Sequence, residues 1–503
     1  MSSHRRETAD FHISQSGEHA WLLHAESHEL FQIKTKSGNS DGRESPSQDA
    51  LMDVVHEDIL RLKDTGYLSR LNRDRLEIAS PLDGANLALN INLTSVCNLG
   101  CTYCFAEGGD YGRIKGKLNA DTDLDSILGF VSENTVAGDA VRFEFFGGEP
   151  MMNFDAIEAL CERSARMAEQ VGIRFLYRIS TNLTTRLSER ELSLFERFGF
   201  TVSVSIDGGA ATHDRNRPNL AGRGSFQSIL QNCHRVRARS EAITLVARMT
   251  YVPLPESSLL GDVRELHAEN IFDWFQILPA VVDDSFLKPV FGDTFAGKSR
   301  AEIDALCDDK VEAEYKKLSD AYLSLFRPDN RFKGVLEIET IIRMILLGEV
   351  ANGHCSGGRK YFTFSPDKSV MPCHRLVGEP ALQSGTFKAG VDAATTTEWR
   401  SSINQTPVCS DCAIRYLCSG GCKQENLVRS GNLNRPDPRS CRFQFRLVDS
   451  AIETIGRAGP DLLGRDRSVL NDLFVSCGRP TLNTDRAAKR PPRPELRSLV
   501  PLT

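Results

Sequence analysis

Between residues 86 and 282 the chain alternates short apolar runs with helical stretches, and no other feature of its 503 residues restricts the fold as much. Strand candidates lie at 87–93, 142–146, 173–180, 201–206, 243–252 and 272–279. Helical stretches of about 10 to 20 residues separate them, among them 154–169, 189–198 and 226–239. Alternation of this kind implies βαβ units and a parallel sheet. Six such units suggest an α/β fold built as a partial (β/α)6 barrel rather than a closed eight-fold one. Functional residues are then expected at the C-terminal ends of the strands.

Other parts of the chain read differently. Residues 1–80 suggest a small α+β module. Two short strands (AWLLHA and HELFQI) are followed by a polar linker at 36–47, then Leu51, Val54, Val55, Ile59 and Leu62 at helical spacing. Six of the 11 histidines fall here: His4, His12, His19, His24, His28 and His56. No ligand spacing recurs among them, so scattered solvated side chains are expected rather than a metal site. The strand–helix core occupies 85–282, and a helix-rich bridge spans 283–350, with helices expected at 301–326 and 336–347. A cysteine-rich domain covers 351–450. The segment 451–503 reads as a helix and a disordered tail, with Arg486, Lys489, Arg490, Arg493 and Arg497 among prolines.

A net charge of −6 is too mild for a nucleic-acid binder. No apolar window of about 18 residues exists to span a membrane. The first residues, MSSHRRETADFHIS, lack the apolar core of a signal peptide. A cytoplasmic protein is expected. In a reducing compartment its 14 cysteines then point to metal or redox chemistry rather than disulfides. Ten of them cluster, and Cys161, Cys233, Cys307 and Cys477 remain as buried or spectator thiols.

The first cluster, SVCNLGCTYCFA, sets Cys97, Cys101 and Cys104 in the loop after the first strand. Three thiolates on one loop can hold three corners of an iron–sulfur cubane and leave the fourth iron open. A zinc knuckle with a distant fourth ligand is the other reading. The C-terminal cluster has seven thiols: Cys355, Cys373, Cys409, Cys412, Cys418, Cys422 and Cys441. One zinc would leave three of them free, whereas two iron–sulfur clusters take up to eight.

The CxxxCxxC loop at the start of a partial barrel resembles the radical S-adenosylmethionine (SAM) superfamily, over about 200 residues. The C-terminal spacing resembles the SPASM extension of radical enzymes that modify ribosomally made peptides and proteins. The resemblance implies SAM and three [4Fe–4S] clusters as cofactors, a peptide or small-protein substrate, and an electron donor of the flavodoxin or ferredoxin type. The cluster that cleaves SAM would be held by Cys97, Cys101 and Cys104. SAM itself would be contacted by the FFGGEP element (Gly147, Gly148, Glu149), Ser205 and Arg217, with Tyr103 and Leu278 beside the adenine. One auxiliary cluster would take Cys409, Cys412, Cys418 and Cys441, and the other Cys355, Cys373 and Cys422.

Three departures from the family pattern stand out. Sulfatase maturases have an eighth cysteine where this chain has Tyr361, so the second auxiliary cluster is expected to have an open iron or a ligand such as His354 or His374. They carry aspartate, used as a base, where His374 stands; histidine could serve as base or as a donor to a cluster sulfur. Lys368 replaces a usual glycine in a turn. The open site, the 355–378 segment and the length resemble thioether-forming maturases, including those of the quinohemoprotein amine dehydrogenase small subunit. Thioether formation from cysteine to carbon is therefore the expected reaction, with carbon–carbon or aromatic cross-linking or formylglycine formation as alternatives. A non-catalytic zinc-binding protein is the alternative of another class. Residues 1–80 would either bind a leader peptide as an added β-strand or cap the barrel.

Overall fold

The computed structural model describes residues 10–34, 46–68, 86–112, 114–281, 287–351, 353–459, 481–483 and 493–502. Strands β1 (Phe11–Ser16), β2 (His19–His24) and β3 (Leu30–Ile33) form an antiparallel N-terminal sheet, with the helix Gln48–Asp64 beside it. The six strands expected of the core are all present: β4 (Leu87–Asn92), β5 (Ala140–Phe146), β6 (Arg174–Thr181), β7 (Thr201–Ser205), β8 (Thr244–Tyr251) and β9 (Trp274–Pro279). They pair in parallel, in sequence order.

The parallel sheet does not stop at six strands. Beyond β9 it gains β10 (Gly334–Val335), and beyond β4 it gains β12 (Tyr361–Phe364), which follows the short β11 (Glu349–Ala351). Eight strands are therefore parallel neighbours, and the outermost two come from the helical bridge and the cysteine-rich segment. Antiparallel β13 (Ser369–Met371), β14 (Gly385–Thr386) and β15 (Gly390–Val391) extend the sheet past β12. Strand β11 pairs with β16 (Thr481–Asn483).

Side-chain alternation gives the sheet two unlike faces. One row (Leu89, Ile91, Phe143, Phe145, Val202, Val204, Phe275, Ile277) is buried in the main core with the covering helices. The opposite row is polar: Asn90, Asn92, Glu144, Arg178, Ser180, Ser203, Arg248 and Gln276. Val246 and Trp274, packed with Leu336, give this inner face an apolar floor.

Two expectations are corrected. The C-terminal tail is not disordered throughout, because β17 (Leu499–Pro501) pairs with β3 as a fourth strand of the N-terminal sheet. The buried Asp58 carboxylate accepts from the backbone N–H groups of Arg497, Ser498 and Leu499, which anchors the strand. Residues Arg486, Lys489, Arg490 and Cys477 lie outside the described residues. The N-terminal module also does not stand apart: beside its own core around Leu22, Phe31 and Val55, it sends Trp21, Leu23 and Leu30 into the main core, and Arg415, fully buried, pairs with Asp10 and Glu26. The helices Arg300–Ala321 and Leu336–Leu347 appear as expected, and Pro438–Ala458 runs across the boundary placed at 450.

His4 lies outside the described residues, and three other histidines of this region serve in hydrogen bonds, two of them, His24 and His28, buried rather than solvated as expected. His12 meets Asp449 at 2.7 Å, His24 meets Ser27 at 2.8 Å, and His28 reaches the Met344 carbonyl at 3.4 Å. Cys161, Cys233 and Cys307 are buried, as expected of spectators. Among the described residues no helix is long and apolar enough to cross a membrane.

Candidate active site

The C-terminal ends of β4 to β9 gather at one rim. The cysteine loop follows β4, and the glycine pair Gly147-Gly148 follows β5. These glycines let the β5 turn press against the cysteine loop. A Cβ on Gly147, which has φ +135°, would lie 2.6 Å from the Thr94 carbonyl, and one on Gly148 would overlap the Val96 carbonyl. The Gly148 and Glu149 amides donate to those same carbonyls at 2.8 Å. Glu149 is buried and its carboxylate accepts from Thr181 Oγ1, Asn182 N and Met151 N. Burial raises its pKa while those bonds pull it back. Its side chain therefore braces the loop ends of β5 and β6.

The thiols of the loop are mutual electrostatic neighbours: Cys97 senses Cys104, and Cys101 senses both. Burial pushes the Cys97 thiol up to about 11 and that of Cys101 to about 12. A positive centre is what would hold such groups as thiolates. Each sulfur also has a donor nearby: Asn182 Nδ2 at 3.8 Å from Cys97, Arg217 Nη1 at 3.9 Å from Cys101 and Gly108 N at 3.4 Å from Cys104. Donors aimed at cluster sulfurs tune iron–sulfur sites in this way. Beside Gly147, Asn92 Oδ1 is buried with no hydrogen-bond partner among the described residues. A polar ligand bound at this rim would fit both observations.

At the end of β7 the residue that organises the rim is Asp207. Its carboxylate meets Arg217 Nε at 3.0 Å and accepts from Tyr103 Oη, from Asn216 Nδ2 at 3.3 Å and from the Thr250 amide at 2.9 Å. The Arg217 guanidinium also lies over the Tyr103 ring, 5.2 Å from its centroid. Tyr103, Asp207 and Arg217 form one packed unit, so Tyr103 has a structural partner in addition to the expected place beside the adenine. Ser205 ends β7 opposite Arg248, and Leu278 near the end of β9 is 40% exposed, unusual for an apolar residue of a central strand.

The C-terminal thiols fall into two groups by the same proximity. Cys409 senses Cys418, Cys412 and Cys441, whereas Cys373 senses Cys422 and Cys355. Burial raises the Cys409 thiol to about 12 and that of Cys422 to about 11. These are the two sets that the SPASM resemblance implied. Among the described residues no three His, Cys, Asp or Glu side chains converge as ligands of a single metal ion.

The second set approaches the barrel. Tyr111 senses both Cys104 and Cys373, its hydroxyl donates to the His374 carbonyl at 3.0 Å, and the residues around it form a small apolar core. Tyr361 is buried in β12 and its hydroxyl meets His374 Nδ1 at 2.7 Å, so the residue in the missing cysteine's place holds one of the two candidate ligands. His354 Nδ1 meets the Cys418 carbonyl at 2.9 Å. The His374 ring stands 4.9 Å from that of Phe146. Burial, with Arg248 next in effect, pushes its pKa down to about 3, so the imidazole is neutral at ordinary pH. Lys368 adopts φ +69° in the β12–β13 turn, which explains why a glycine suits that position, and its ammonium pairs with Asp123.

Comparisons with known proteins agree with this geometry. Residues 91–266 match the Radical SAM superfamily model. The cysteine-type anaerobic sulfatase-maturating enzyme of Clostridium novyi is 25% identical, over 66% of this chain and 86% of that protein. The PqqA peptide cyclase of Rhodopseudomonas palustris is also 25% identical, over 71% and 86%. Among solved structures, native anSMEcpe with bound AdoMet superposes with a TM-score of 0.57 at 18% identity, covering 74% of this chain and 99% of that one.

Proposed function

Because residues 91–266 are a radical SAM domain, we propose that this enzyme modifies a ribosomally made peptide or small protein, forming thioether links from cysteine to carbon. A radical SAM domain works with a [4Fe–4S] cluster and SAM, which together supply a 5′-deoxyadenosyl radical that removes a hydrogen atom from substrate. Cys97, Cys101 and Cys104 would hold that cluster, and Arg217, Ser205, Leu278 and the β5 turn would border SAM. The named relatives act on protein or peptide substrates, which supports the substrate class.

The observation that carries the thioether reading is the Cys355, Cys373 and Cys422 group beside the barrel. Tyr361 stands where the sulfatase-maturase pattern implies a further cysteine, and its hydroxyl is committed to His374. A ligand position is thereby left for a cysteine thiol brought by the peptide, which would give up its proton there, next to the rim where hydrogen removal would take place. Phe146, Phe105 and Tyr111 pack around His374 and exclude water from that side. Cys409, Cys412, Cys418 and Cys441 would hold the remaining cluster and pass electrons to or from a flavodoxin- or ferredoxin-type partner. A leader peptide docking on the N-terminal sheet would find the β3 edge already paired with β17.

Formylglycine formation is the second reading, favoured by the sulfatase-maturating relatives; His374, where the sulfatase-maturase pattern implies an aspartate, weighs against it. The test is to express the enzyme anaerobically with a cysteine-containing peptide encoded beside its gene, then weigh and alkylate the peptide. Loss of two hydrogens per link with thiols no longer alkylated supports the thioether reading. The same mass loss with every thiol free points to carbon–carbon linkage.

A further inference from the structure

Glu337 was not singled out by any sequence motif. It follows β10 directly, in the first turn of the helix Leu336–Leu347, and so sits at the C-terminal rim where catalytic groups of such sheets gather. Because β10 ends at Val335, the β9 edge has no strand partner beyond Phe275. The Glu337 carboxylate fills that gap, accepting from the Ile277 amide at 3.0 Å, one residue before the exposed Leu278. It also bonds the Gln276 side chain, which points into the polar interior of the sheet. There Gln276 Oε1 accepts from Arg178 Nη2 at 3.4 Å, and Arg178 in turn pairs with Glu144 at 3.3 Å. A hydrogen-bonded chain thus runs across the inner face from Glu337 to Glu144, whose charge is felt by His374.

Resting on the reading above, we propose that Glu337 is the base that receives the substrate proton. The reaction makes one C–S bond and breaks one C–H and one S–H bond. The carbon's hydrogen would leave as an atom to the 5′-deoxyadenosyl radical, giving 5′-deoxyadenosine, and the odd electron would be taken by an oxidised iron–sulfur cluster, the oxidant of the step. The thiol proton remains, and a carboxylate at the rim takes it. His374 is poorly placed for that task, since its Nδ1 is engaged by Tyr361.

The surroundings of Glu337 suit a group that changes protonation during turnover. Burial raises its carboxyl, while the bonds from the Ile277 amide and its own backbone, the Arg248 guanidinium and Gln276 lower it, leaving a pKa of about 7. Arg248 reaches it from β8 and the Tyr315 phenol from the helix Arg300–Ala321; Arg178 and Glu144 lie one hydrogen bond further away. An acceptor with a pKa near the working pH is the most effective kind.

The test compares wild type with Glu337→Gln, which keeps the shape and can still accept from Ile277, and with Glu337→Asp. In the infrared spectrum of the peptide-free protein, a carboxylic-acid band absent from Glu337→Gln should vanish with a midpoint near pH 7. With the gene-neighbour peptide, Glu337→Gln should lose about a hundredfold or more in link formation while 5′-deoxyadenosine is still released. The rising limb of the wild-type pH profile should disappear, and Glu337→Asp should restore part of the rate. Unchanged linking with the same limb, or loss of 5′-deoxyadenosine together with product, would overturn the assignment. If wild type leaves the peptide unchanged, the reaction class is at fault, and the infrared titration decides Glu337 alone: no band titrating near 7 would overturn it.

Discussion

The two cysteine-bearing regions are assembled by opposite means. Cys97, Cys101 and Cys104 come from one loop after β4, braced by the β5 turn and by Glu149. The C-terminal thiols are drawn from the ends of β12 and β13, from the short helices Pro407–Ser410 and Arg415–Cys418, and from Pro438–Ala458. A loop set is built by local backbone and can be emptied without touching the fold. A set collected from distant segments holds those segments together, so its metal contributes folding energy.

That contrast predicts how the two regions fail. Replacing Cys97, Cys101 and Cys104 with alanine should abolish SAM cleavage entirely, with the melting temperature nearly unchanged. Replacing Cys412 and Cys418 should instead produce insoluble or early-melting protein; a soluble double variant with wild-type melting would break the comparison. Next in size, Arg217→Leu would leave the Asp207 carboxylate buried without its cation, at a cost of about 3–5 kcal/mol, and should also weaken SAM binding. Calorimetry and equilibrium dialysis read the two effects separately. Away from the cysteines, Asp58→Ala should cost about 1–3 kcal/mol by leaving three backbone donors of the β17 segment without their acceptor. Faster hydrogen exchange at Leu499, with exchange in β5 unaltered, would confirm that the loss is local. Tyr361→Phe is the mildest change: it removes one hydrogen bond to His374, at about 1 kcal/mol, and should leave the iron content as in wild type.

The same contrast explains what could be read from the sequence. The six core strands, several core helices and the cysteine loop were legible because periodicity and spacing are local signals. The strands that complete the sheets were not: β10 has 2 residues and β17 has 3, too few to show a period, and both pair with segments far away in the chain. YFTF at 361–364 reads as a short apolar run, but nothing local says that it joins β4. The role of Asp207 was not legible because its four partners come from the cysteine loop, from the end of the helix Ala210–Asn216 and from the neighbouring strand β8. The polar inner face was available in the sequence, since Asn90 and Asn92, Glu144, Arg178 and Ser180, Ser203 and Ser205, and Arg248 recur at alternate positions of otherwise apolar strands. Glu337 carried no such signal, because its role depends on where β10 stops.

The central proposal is that three separately assembled thiol groups each take a cluster. Iron and acid-labile sulfide counted per chain in the anaerobic protein, and again in the variant lacking Cys97, Cys101 and Cys104, test it most directly. About twelve of each falling to about eight is the predicted result. About four falling to none would leave the C-terminal thiols without clusters and contradict the account.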